Sequence, residues 1–497
     1  MGVAASLFSG FLLSPYLIRK LGAEGYGVWA LSFALVEYGA FLDLGFRSAI
    51  VKYVAHYTAL EQPLGINQII NTGLLYAGLV SIALFASTVA LSGYLHYFFQ
   101  VSPALERSFR ILVILISLSW CVGFVLGLFG ACLESIQRFD LYNKTTVIQT
   151  AGRAAGTAIL LYLGYGLIGI GVLTVVTQCL GHGLSFILFR RTVSSFRVSL
   201  RHASLKTLRF MASFGIHTFL VNVSSLFLNQ SPPMLIGHFL PAAFVGYYQL
   251  PIKLIQYTSD GVARIGVITN ANAAELHAQG DSRVLSQLAV YSNRYALTLF
   301  MPLALFFWAF GDRIFGLWVP SIAHFSAPLL PVLLSGYMIA VVAQFSSGML
   351  LQGLGRHQWF ARGVLVEAIA VLVLLLFVIP RYGISGAAWV TALCMILNRG
   401  ILAPWLVSRE IRFSFAYFMH SIYTWPFVAA IPVAGLAYLL RVTILPGWTW
   451  VQLFTAGALV ASMYFGLAFF VCLPLHHRSR LVALVLQKLP HRAPRPA

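Results

Sequence analysis

Apolar residues in this chain gather in long runs, and the polar residues gather in the short breaks between them. Runs such as 111–133, 364–379 and 453–473 reach or approach the ~20 residues needed to cross ~30 Å of hydrocarbon as a helix. The pattern predicts about fourteen spans, near 1–18, 28–46, 69–95, 109–133, 144–163, 167–189, 210–229, 243–270, 288–310, 329–353, 360–379, 384–407, 421–440 and 451–473. Several connections are tight, such as Gly164-Tyr165-Gly166, and no loop is long enough to hold a separate soluble domain. The expected fold is an all-α polytopic membrane protein, with its chemistry in the membrane or at its edges.

Composition agrees. Of 497 residues, 59% are hydrophobic and 9% charged, whereas a soluble domain carries about 25% charged residues. A secreted domain, a soluble enzyme and a disordered scaffold are excluded. The net charge of +19 would suggest nucleic acid in a soluble chain, but no recognition motif for it is present. The charge is explained by loops. Lys and Arg in alternate breaks number twenty on one side and seven on the other, which predicts that the richer side, with both termini, is cytoplasmic. The five cysteines all fall in apolar segments and read as packing residues. The N-terminal segment lacks a basic n-region and reads as a first span. Met1-Gly-Val-Ala-Ala-Ser6 matches an acylation pattern, but the apolar continuation favours a spanning helix.

The strongest organisational signal is an internal repeat at a separation of 217 to 218 residues. Leu17-Ile18 matches Leu235-Ile236, Asp43 and Arg47 match Asp260 and Arg264, Arg138 matches Arg356, and Tyr165-Gly166 with Gly169 matches Tyr382-Gly383 with Gly386. Six spans per repeat give both copies the same orientation, a recurring transporter architecture. The expected division is a six-helix lobe over 1–200, a second over 201–415, an accessory helix pair over 416–475 and a basic tail over 476–497, with a central cavity between the lobes. In this register Phe210 corresponds to a position before Met1, so the first span is short.

A charge inside a span is costly and marks a cavity or a partner. Lys253, Gln256, Asp260 and Arg264 form one polar stripe on the eighth span, and Gln149 with Arg153 share a face of the fifth. Arg47, Arg294, Asn398-Arg399, His217 and Asn222 add further polar groups. The acidic set is Glu37, Glu367, Asp43 and Asp260, candidates for counter-ions or for coupling to a proton or sodium gradient. Cations outnumber anions, which suits an anionic substrate such as a diphosphate. The competing structural readings are that Asp43/Arg47 and Asp260/Arg264 neutralise one another at four-residue spacing, and that Arg294 snorkels to headgroups. Neither a cofactor nor a metal is expected. Gly164–Gly169 fits G-x-G-x-x-G but sits in a helix hairpin with no preceding strand, no Walker lysine motif exists, and His476-His477 lies in a basic tail suited to a membrane surface.

The stretch Leu17-Ile-Arg-Lys-Leu-Gly-Ala-Glu-Gly-Tyr-Gly-Val-Trp-Ala30, followed by Phe41-Leu-Asp-Leu-Gly-Phe-Arg-Ser-Ala-Ile-Val-Lys-Tyr-Val-Ala55, resembles the opening of bacterial polysaccharide transporters. These form the O-antigen flippase family of the multidrug/oligosaccharidyl-lipid/polysaccharide exporter superfamily. The echo Leu235-Ile-Gly-His-Phe-Leu-Pro-Ala-Ala-Phe-Val-Gly-Tyr-Tyr248 is similar to the matching second-half segment. The resemblance implies two six-helix lobes with two extra helices, in the bacterial inner membrane. It also implies movement of undecaprenyl-diphosphate-linked oligosaccharide to the periplasmic leaflet, with Arg153, Lys253 and Arg264 placed to meet the diphosphate. The alternatives are a small-molecule or multidrug exporter, whose cationic substrates sit badly with a cationic cavity, and a membrane polymerase. The loops at 96–108 and 311–328 show no catalytic cluster for the latter.

Overall fold

The computed structural model describes residues 2–443 and 447–488. About 90% of the chain is helical, with no strand among the described residues. Nine stretches among these residues are long and apolar enough to cross a membrane; Phe11–Asp43 covers parts of two of the spans read from the sequence, and Gln358–Ile411 contains two more. In the first the chain turns at Gly22 (φ 74°), and in the second at Gly383 (φ 59°). Three more helices, Phe139–Tyr162, Leu205–Phe239 and Ala243–Gln279, have 24, 35 and 37 residues. At 1.5 Å per residue each is long enough to cross. Phe139–Tyr162 and Ala243–Gln279 carry Gln149 with Arg153 and the Lys253 stripe, polar groups that dilute their apolar character.

The second span differs from the reading of 28–46. The α-helix stops at Glu37, a tighter helical turn covers Tyr38–Asp43, and a separate helix runs Phe46–Ala59. Leu44 (φ 47°) and Gly45 (φ 76°) break the axis there. The Asp43 carboxylate accepts from the Arg47 backbone N–H at 3.4 Å, meeting one of the free donors at the start of the new helix. In the second copy the helix Ala243–Gln279 runs unbroken through the corresponding positions.

The repeat is written in the backbone as well as in side chains. Gly166 and Gly383, 217 apart, both take positive φ (58° and 59°) at the start of a span. At a separation of 218, Arg138 N–H donates to Leu133 O (2.9 Å) as Arg356 does to Leu351 O (2.8 Å), and Gln137 N–H donates to Glu134 O as Gly355 does to Gln352 O, both at 3.0 Å. These are two copies of one Schellman cap. The left-handed residue is Gly355 (φ 69°) in one and Gln137 (φ 60°) in the other.

The chain packs as two compact units. One comprises 1–254, 324–329 and 361–394, and the other 255–323, 330–360 and 395–497. In the first, Phe46, Ile50, Ile70, Phe129, Phe189 and Met211 share a core, with the Phe129 ring against Phe186, Phe189 and Phe196. Buried Asn67 and Asn71 read the connecting segment after Thr192 as a strand would. Each amide donates to a carbonyl (Ser195 at 3.0 Å, Arg197 at 2.9 Å), and each side-chain oxygen accepts a backbone N–H (Arg197 and Ser199, both 2.8 Å). That satisfies buried amides that would otherwise be expensive. At Gly27 a Cβ would overlap the Ala242 carbonyl, so two backbones meet there directly.

In the second unit the helix Ser282–Trp318 packs against Phe415–Thr443 and Trp450–Val471. Buried Asn293 accepts from Ser347 Oγ at 2.9 Å, and Ser346 Oγ donates to the Ser292 carbonyl at 3.1 Å. Ala343–Gly348, Ile396–Leu402 and His420–Thr424 are wide π-type turns, a local geometry that recurs at functional sites.

Candidate functional site: a polar cavity beside a caged lysine

Within the first unit, the helix ending at Glu37 is tied to the helix Leu205–Phe239 by two neighbouring polar links. Gln230 Nε2 donates to the Glu37 carboxylate, and the Tyr38 and Ser231 hydroxyls are 3.2 Å apart. Beside them opens a cavity of about 600 Å³, within the size range of ligand sites. Its polar lining includes Glu37, Asp43, Arg47, Gln178, His182 and Gln230. Gly123 and Gly127 line one wall, and a Cβ at Gly123 would press on Gln178 Nε2 at 2.7 Å. Small residues there leave room for side chains from the facing helix.

Lys253 is the charge that sequence reading placed deepest, and aromatic faces hold it. Its ammonium lies 4.4 Å from the Trp29 ring centre, 5.6 Å from that of Tyr26 and 3.5 Å from the Tyr26 hydroxyl. Ring faces attract a cation electrostatically, most strongly where water is excluded. The fields of Glu37 and Arg153 both act on it, so Glu37 links the caged lysine to the cavity it lines. Arg153 is open at its surface, one turn from Gln149. Gln149 bonds Gln178 of the neighbouring span and packs where Gly181 leaves space.

The remaining candidates divide. Arg47 lines the cavity, but its guanidinium lies 3.3 Å from Glu134 and 3.5 Å from the Tyr142 hydroxyl. Asp43 meets Arg47 through its backbone N–H, while the Arg47 guanidinium also pairs with Glu134. Glu367 is buried, and its field acts on Cys394. In the second unit, Arg294 donates to the carbonyls of Ser421 (2.6 Å) and Cys472 (3.3 Å), clasping three elements. Buried Arg399 and its neighbour Asn398 sit in the wide turn Ile396–Leu402. Gln256 is exposed. The side chains of Asn222, His217, Asp260 and Arg264 lie outside the described residues.

Sequence reading missed Gln178, His182, Asn229 and Gln230, all in the cavity lining. Gln178 and His182 stand one turn apart in an otherwise apolar span, the same signal that singled out Gln149 and Arg153. It also missed that Tyr26 and Trp29 form the cage of Lys253, because aromatic residues at a span's start look like interface anchors.

The comparisons with known proteins agree on kind. The chain is 23% identical over 407 residues to a Shigella flexneri protein named as an O-antigen transporter, covering 79% of this chain and 92% of that one. It is 23% identical over 433 residues to a Haloferax volcanii protein named as the low-salt glycan biosynthesis flippase Agl15, covering 86% and 85%. Among solved structures, the fold resembles the lipid II flippase MurJ in an inward closed conformation, with a TM-score of 0.72 at 13% identity over 94% of this chain and 96% of that one. It also resembles a multidrug resistance MATE family transporter in its inward-facing conformation, with a TM-score of 0.68 at 13% identity, covering 83% and 95%. The family described as polysaccharide biosynthesis protein matches residues 2–269, more than half of the sequence, and this multi-pass membrane chain belongs to it.

Proposed function

We propose that the protein is a flippase for diphosphate-linked oligosaccharide on a polyprenyl carrier. It moves completed units across the bacterial cytoplasmic membrane by alternating access, in the making of cell-surface polysaccharide, and changes no covalent bond. The observation that carries this reading is the pairing of a polar cavity with an adjacent cation cluster inside the membrane. Lys253 and Arg153 supply charge for phosphate oxygens, and the amides of Gln178, Asn229 and Gln230 supply hydrogen bonds suited to sugar hydroxyls. Relatives named as a transporter and a flippase support it.

The duplication divides the chain, in this reading, into lobes 1–200 and 201–415, an accessory pair 416–475 and the tail 476–497, with both termini cytoplasmic. Glu37 is the counter-ion of Lys253, and protonation of Glu37 by an ion gradient is the coupling step. Arg47, Arg264, Arg294 and Arg399, with Asp43, Asp260 and Glu367, stand behind these as supporting charges.

The test is a deletion strain in which surface polysaccharide and the sidedness of carrier-linked oligosaccharide are measured together. Completed units trapped on the cytoplasmic leaflet, released by the wild-type gene and not by Lys253→Met, are the expected result. Normal surface glycan with altered sensitivity to cationic drugs would instead establish an exporter. Units flipped but never extended would establish a polymerase.

A further inference from the structure

The second unit holds another cavity, of about 600 Å³, far less polar than the first. Its walls are Leu299 and Thr298 on one span, Phe465, Ala468 and Phe469 on another, and Leu481 beyond them. Leu299, Phe465 and Leu481 are 45%, 43% and 45% exposed. The groove therefore opens outward on span faces that bilayer chains would cover.

One end is cationic. The helix Leu475–Lys488 is held across that end by Arg478, whose guanidinium donates to the Leu473 carbonyl at 2.7 Å and to the Phe470 carbonyl. His477 bonds the Tyr295 hydroxyl and lies against the Tyr291 ring at 4.9 Å. Arg478 and His477 are thus committed to protein partners. Arg480 is exposed at the rim and makes no ion pair among the described residues.

We propose that this groove is a binding site for an anionic membrane phospholipid, with acyl chains along Leu299, Phe465 and Ala468 and the headgroup phosphate on Arg480. An apolar slot between spans that ends at an arginine matches an amphiphile in both charge and polarity, and basic pockets at span ends bind such headgroups. The lining between Thr298 and Leu481 offers almost nothing to a glycan, which separates the groove from the polar cavity of the first unit. The tie between span and tail helix puts the lipid where it fastens Leu475–Lys488 to the membrane face.

The full chain, purified in detergent, is titrated with phosphatidylglycerol and with phosphatidylcholine of matched acyl chains, and bound lipid is counted by native mass spectrometry. Wild type should retain phosphatidylglycerol about fivefold better, the effect of one basic residue near a membrane surface. Arg480→Gln should abolish that preference, and Leu299→Trp, which fills the groove and leaves the charge, should reduce retention of both lipids. Equal retention of the two lipids by wild type, or a preference untouched by Arg480→Gln, overturns the proposal. Tighter, Arg480-dependent retention of a polyprenyl diphosphate also overturns it and gives the groove to the transported substrate. Transport is not measured, so the outcome is independent of the flippase reading.

Discussion

An ammonium inside a bilayer has to be stabilised by its surroundings, and Lys253 has two aromatic faces and one carboxylate field for that purpose. The two roles of the cluster can be separated by substitution. Trp29→Leu removes a desolvated cation–π contact worth about 2 kcal/mol and should lower the thermal midpoint in detergent. Lys253→Met removes the charge with little change in volume. Because an intramembrane charge costs about 2.5–3.5 kcal/mol to insert, that variant should be at least as stable as wild type while flipping stops. Full transport by Lys253→Met would end the cationic-site reading. The residues named first from sequence, Lys253 and Arg153, were legible because charge in a span is rare. Gln178 and His182 carried the same one-turn spacing but no fixed charge, and the cavity is what shows that their shared face matters. Arg294 shows a different limit. It was read as a cavity cation or a headgroup contact, and its guanidinium instead donates to two carbonyls, a partner type that no sequence pattern announces.

Several helices end where the backbone turns left-handed, and the duplicated caps allow a direct comparison of two residues in one conformation. Gln137 occupies the position that glycine fills at 355, and a side chain in that region costs roughly 1 kcal/mol. Gln137→Gly should therefore stabilise by about 1 kcal/mol, and Gly355→Gln destabilise by a similar amount, both read from thermal midpoints. Gly27→Ala should cost more, about 1–3 kcal/mol for overpacking, since the neighbour it would strike is a main-chain carbonyl. At the tail, burial holds the His477 imidazole below its ordinary value, with His476 and Arg480 adding to the effect. A group whose folded value is depressed loses stability as acid protonates the unfolded chain first. Hydrogen-exchange protection in Leu475–Lys488, taken relative to the intrinsic rate at each pH, should accordingly fall as pH falls below about 6.5. Helix centres were legible from apolar runs, whereas helix ends were not. Leu205–Phe239 and Ser282–Trp318 extend well past the runs at 210–229 and 288–310, because a helix emerging from the bilayer continues on polar residues.

At the scale of the molecule, the excess of basic residues in alternate loops makes a topological prediction. In a Cys179→Ser background, since Cys179 is the exposed one of the five, a cysteine at Gln279 should react with an impermeant maleimide only after the cells are opened. One at Ser321 should react on intact cells. The reverse pattern would invert the assigned orientation. The number of spans could be counted from hydropathy, and the duplication from a handful of matched positions. The broken axis at Leu44 and Gly45, present in one copy and absent in the other, had no counterpart in the matched residues, since Asp43 and Arg47 repeat faithfully while the backbone between them does not. The contact at Gly27 has a consequence for how this chain tolerates change. A joint made of main chain against main chain asks one position to stay bare and places no demand of its own on side-chain identity elsewhere. A scaffold fastened in this manner depends there on the absence of a side chain and not on the choice of one, so substitution around the joint is bounded by packing alone.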